Sequence, residues 1–159
     1  MQRTNKIIFS ILVGAIIVSI GVGGMQQHRK NNIGLANSGL EEKALAVGNT
    51  ILQVEVAQTV EQRMTGLSHR SALAEGRGMF FIFDTDDTHG IWMKDMQFAI
   101  DIIWIDATMK IVHIEQAVTP DTYPQSFTPP VPARYVLEVP AGYMYGKSAV
   151  GESVTLQNP

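Results

Sequence analysis

Two carboxylates set inside apolar runs offer the first chemistry in this chain. Asp101 lies within Ile100-Asp101-Ile102-Ile103-Trp104-Ile105, and Glu138 within Tyr135-Val136-Leu137-Glu138-Val139. An ionised carboxylate is costly to bury, so each is expected either to be paired or to have its pKa raised by desolvation. Carboxyls perturbed in this way can act as general acid and base. A pair about 5 to 10 Å apart across an open cleft would suit hydrolysis of a glycosidic or related bond. The same residues equally fit structural ion pairs, Asp101 with Lys94 or Arg63 and Glu138 with Arg134 or Arg70, with no catalysis at all.

A second constellation reads as binding. Trp92-Met93-Lys94 sets an aromatic platform beside a cation, while Arg63 and Arg70 would project from a similar side of a helix that continued through Ser68. Together with Asp101 and Glu138 these four form a candidate site for a small anionic or polyhydroxylated ligand, or for an envelope component. Each also has a plainer reading: a core tryptophan and solvated or salt-bridged arginines.

Other constellations fail on spacing. Gly142 to Ser148 ends in Gly-Lys-Ser, yet three residues rather than four precede the Gly-Lys pair, and no βαβ unit can follow. Asp84, Asp86, Thr88 and Asp95 approach the spacing of a calcium loop, but His89 occupies the position that needs glycine. The four histidines form no i, i+4 pair, Ser68 lacks a glycine-flanked elbow, and cysteine is absent. No metal or cofactor is therefore expected, nor a serine or thiol nucleophile. With 12 basic against 15 acidic side chains and a net charge of −3, the chain carries no electrostatic footprint for nucleic acid.

The elements that must position these residues start after an apolar run. Residues 7–24 carry no charge and approach the roughly 20 residues that cross a bilayer as a helix. They read as an uncleaved single-pass anchor, because small residues in a cleavage pattern are lacking. The expected layout is a cytoplasmic N-terminus at 1–6, an anchor at 7–24, a polar tether at 25–47 with a short helical patch, and one extracytoplasmic domain at 48–159.

Within that domain Leu52, Val54 and Val56 alternate with Gln53 and Glu55, the pattern of a strand with one wet face. Thr59 and Gln62 form a capping box opening a short helix that Gly66 ends. Met79 to Phe83 is an apolar run too short for a helix, hence a strand covered on both faces. Asp84 to Gly90 reads as an acidic loop, Ile91 to Lys94 as a strand, and Ile100 to Asp106 with Ile111 to Val118 as a hairpin. The proline-rich stretch from Thr119 to Ala133 predicts a long extended loop. Arg134 to Val139 and Val154 to Leu156 complete the strands, giving a mostly β fold, a sandwich or barrel with one or two short helices.

Arg63, Gly66-Leu67, Arg70, Gly78-Met79-Phe80-Phe81-Ile82-Phe83, Trp92-Met93-Lys94, the Ile100 to Asp106 block and Arg134 to Glu138 together resemble the uncharacterised family called domain of unknown function 192. The likeness spans roughly Ile51 to Leu156. It implies a compact, β-rich, jelly-roll-like domain, often exported or membrane-anchored, with no established activity. It marks Arg63, Arg70, Trp92, Lys94, Asp101 and Glu138 as the positions of interest. The chain departs from the family pattern at Gln97-Phe98-Ala99, where a proline-containing turn is usual, and in the Asp106 to Lys110 turn, which lacks the usual glycine.

Overall fold

A computed structural model describes residues 39–157. The anchor expected at 7–24, and the tether up to residue 38, lie outside the described residues. Among the described residues no helix is long and apolar enough to cross a membrane.

The elements run β1 (Glu41–Val47), β2 (Thr50–Ala57), α1 (Val60–Thr65), β3 (Arg77–Asp87), β4 (Ile91–Trp92), β5 (Ile100–Ile105), β6 (Ile111–Val118), β7 (Ser126–Phe127), β8 (Ala133–Pro140) and β9 (Val154–Gln157). Seven strands form one sheet in the order β6-β5-β8-β3-β2-β1-β9, and β4 pairs with β7. β2 and β3 are parallel, which requires a crossover, and α1 with the segment up to Arg77 supplies it. The fold is mostly β, as expected. Of the sandwich and the barrel expected, the seven-stranded sheet takes neither in full and curls into a half-barrel.

Strand alternation divides the core between the two faces. Leu45, Leu52, Phe80, Ile103, Leu137 and Val139 fill one cluster together with Ile111 of β6 and Val154 of β9. Because that cluster unites both edge strands, and Lys110 bridges Ser153, it occupies the inside of the curl. Met79, Phe81, Ile100, Ile102, Trp104 and Val136 form the second cluster on the outer face, where Leu67, Leu73, Ile91 and Met93 cover them. Met79 to Phe81 is accordingly buried from both sides, as the apolar run predicts, while Ile82 and Phe83 at its end are only half-buried.

Three local expectations are corrected. The tether gives way at Glu41 to a strand: Leu45 and Val47 are fully buried against β2, and Gly48, at φ 54, begins the two-residue turn between them. The acidic stretch to Asp87 continues β3 instead of forming a loop. The strand expected from Ile91 to Lys94 shrinks to Ile91–Trp92, paired with Ser126–Phe127, so the proline-rich segment contributes a strand of its own. α1 stops at Thr65 as the Gly66 signal predicts, Gly66 adopting φ 49, ψ −133, outside helical space, so no helix runs on through Ser68 to align Arg63 with Arg70. The capping box itself forms: Gln62 N donates to Thr59 Oγ1 at 3.2 Å, and Thr59 N donates to Gln62 Oε1 at 3.0 Å.

Candidate ligand-binding site

The sheet register sets two carboxylates in one row across four strands. Glu55 of β2 lies opposite Met79 of β3, Met79 opposite Glu138 of β8, and Glu138 opposite Ile102 of β5. Residues aligned across a sheet share a face, and this is the covered outer one. Glu55 is 2% exposed and Glu138 5%. The alternation of β2 predicts a wet face for Glu55, and this fails because the segment after α1 folds over that end of the strand and brings Arg70 with it. Arg70 Nη1 and Nη2 donate to Glu55 Oε1 and Oε2, both at 2.7 Å, a bidentate pair. Burial pushes the Glu138 carboxyl up to about 8, against the nearby Arg70 charge, which pulls it down. At neutral pH the row thus holds one matched ion pair and one protonated carboxyl.

Asp101 belongs to the other face. Its neighbours Ile100 and Ile102 join the outer cluster, whereas Asp101 shares its side of β5 with Ile103 and Ile105. Its Oδ1 accepts Ala117 N at 2.8 Å and its Oδ2 accepts Gly142 N at 2.9 Å. Ala117 stands at φ 53 where the β5–β6 register shifts, so Asp101 anchors an irregularity of β6 and the turn after β8. Asp101 and Glu138 consequently point to opposite faces of one sheet and share no cleft, which removes the geometry for an acid and base pair. The ion pairs expected of Asp101, with Lys94 or Arg63, give way to backbone amides. Glu138 senses Arg70, while Arg134 pairs with Asp86.

Over the outer cluster lies a cavity of about 550 Å³. Met64, Leu67, Phe81, Ile91, Met96 and Ile100 give it apolar walls; Glu138, Ser126 and Arg63 supply polar groups. Trp92 also lines it, 43% exposed, with Tyr123 set edge-on at 6.2 Å. Val60 and Met64 of α1 line it too and are more exposed still, so the cavity has an apolar rim. Arg63 is fixed by its own fold: Nη1 donates to the carbonyls of Gln58 and of Ile82, the latter at 2.8 Å, and Nη2 reaches Asp84 Oδ2 at 3.4 Å. Its guanidinium also sits 5.1 Å from the Phe83 ring centroid.

Of the six predicted residues the structure brings Arg63, Trp92 and Glu138 to one cavity. Lys94 stands outside its lining, with Nζ 5.9 Å from the Trp92 ring. Arg70 lies behind Glu138, held by Glu55, so Arg63 and Arg70 make no joint anion grip. The sequence reading misses Glu55 and the wall residues Met64, Met96 and Ser126. For Glu55 a signal existed: a helix of six residues cannot cross from β2 to β3 alone, so the chain after it must cover the end of β2.

Comparison with known proteins agrees with this fold. The model of the domain of unknown function 192 family, DUF192, described as an uncharacterized ACR, matches residues 43–156. No curated protein matches the chain. Among solved structures, a proposed transcription regulator from Sinorhizobium meliloti is similar at 26% identity and TM-score 0.68, over 74% of this chain and 95% of that one. A protein of unknown function from Novosphingobium aromaticivorans is similar at 23% identity and TM-score 0.72, over 76% of this chain and 89% of that one, a likeness of fold alone. With most of its described residues inside the match, the chain belongs to the DUF192 family.

Proposed function

We propose that this chain is a binding domain for a small ligand, held at the membrane by the apolar run at 7–24 with the domain outside. The observation that carries the reading is the cavity itself: apolar walls, an exposed aromatic at the rim and a buried carboxyl in its lining. Pockets of this composition, with few polar groups fixing orientation, are the usual form of small-molecule sites. The walls favour a ligand with an apolar body over a heavily hydroxylated one. The description of the Sinorhizobium relative raises nucleic acid as a partner. A net charge of −3 and an apolar rim do not suit that role.

The test is titration of the full chain with the neutral fluorophore N-phenylnaphthylamine, whose emission rises in apolar surroundings. Saturable binding is expected in the natural chain, and also in Tyr145→Ala, which removes an exposed ring outside the cavity lining. Trp92→Ala is expected to weaken it several-fold, as loss of one aromatic contact implies. No saturable binding, or equal affinity in all three proteins, would overturn the reading.

A further inference from the structure

The cavity has two polar ends of different kind. Glu138 is at one, 5% exposed, and Arg63 is at the other, where α1 meets β3. Met79, opposite Glu138, and Ile82, whose carbonyl takes Arg63, are three residues apart on β3, about 10 Å at the rise of an extended chain. Phe81 lies between them and Ile100 alongside, so the polar ends are separated by an apolar floor.

We propose that the cavity takes a small molecule with an apolar, ring-sized body and a carbonyl-type oxygen facing Glu138, and that it discriminates against cations. This deepens the binding reading and rests on it. The charged groups around Glu138 are Glu55 from β2, Arg70 from the segment after α1, and Arg63 across the cavity; β3 and β5 bring Met79, Phe81, Ile100 and Ile102, which carry none. Glu55 and Arg70 neutralise each other, so an ionised Glu138 would be an unmatched buried charge. Burial keeps it protonated up to about 8. A protonated carboxyl donates an O–H, which a ligand oxygen can accept. An ammonium group has no lone pair to accept it, and Arg63, which pairs with Asp84 at 3.4 Å, offers it no attraction at the other end. The affinity for a carbonyl compound is then full below about 8 and lost as pH rises through that value, because the donor proton leaves.

Ethylbenzene, acetophenone and phenylethylamine share one skeleton and differ in the polar group. Each is used to displace N-phenylnaphthylamine from the full chain. At about pH 6 acetophenone is expected to compete ~10-fold better than ethylbenzene, the worth of one hydrogen bond, and phenylethylamine least well. At about pH 9.5 the advantage of acetophenone disappears with the proton. In Glu138→Gln, whose amide N–H still donates, the carbonyl preference persists at both pH values. Phenylethylamine binding best at the lower pH, or a carbonyl preference in the natural chain that ignores pH, would overturn the inference. Failure of the fluorophore itself to bind would instead overturn the binding reading, so the two failures are distinguishable.

Discussion

Replacing Glu138 by glutamine should change how stability depends on pH more than it changes the fold. Unfolded, the carboxyl titrates near 4.5; folded, near 8, because burial disfavours its charge. Between those values the folded state holds a proton that the unfolded state has lost, so stability falls as pH rises, by about 1.4 kcal/mol per pH unit. Below 4.5 both states are protonated and above 8 both are ionised, so the slope vanishes outside the window. The accumulated cost is about 3 kcal/mol at pH 7 and about 5 kcal/mol above the upper limit. Glutamine keeps the shape and does not titrate. The difference in unfolding free energy between the two proteins, measured by urea denaturation from about pH 4 to 9.5, should therefore grow in favour of the variant across the window. Other titrating groups are common to both proteins and cancel in the difference. Parallel curves would refute the assignment of Glu138 as a buried, protonated carboxyl.

Two further substitutions test the polar framework. Asp101→Ala removes acceptors from the amides of Ala117 and Gly142, and should cost about 3 to 5 kcal/mol in chemical denaturation while leaving fluorophore affinity unchanged in the folded protein. A loss below about 1 kcal/mol would show that water replaces the carboxylate there. Arg70→Ala removes the bidentate partner of Glu55 in the outer core and should cost about 3 to 5 kcal/mol near neutral pH. Arg70→Lys should recover only part of that, because an ammonium cannot reproduce the bidentate geometry; full recovery would contradict it.

The central strands were legible because sheet interiors covered on both faces leave a simple mark, an unbroken apolar run such as Met79 to Phe83. The capping box was legible because its two partners are only three residues apart. β1 was not: Leu40 to Leu45 satisfies a helical spacing as well as an alternating one, and pairing with β2 and β9 decides between them. The site was half legible. Trp92, Arg63 and Glu138 do line one cavity, but the face each carboxylate takes depends on register, which the sequence does not print. That is why Asp101 and Glu138, alike in sequence, prove to have unlike roles, and why Glu55, alternating like a solvated residue, proves buried.

The carboxyl in the cavity and the rim around it stand on elements of very different permanence. Glu138 sits mid-strand on β8, hydrogen-bonded between β3 and β5 in the middle of the sheet. Trp92 and Ser126 belong to two-residue strands that pair only with each other. Native proteins open locally where cooperative contacts are few, so amides near Trp92 should exchange with solvent through small fluctuations while those of β8 wait for global unfolding. Entry to the cavity and recognition inside it are thus separable: the doorway can yield to molecules of different outline without disturbing the group that reads them.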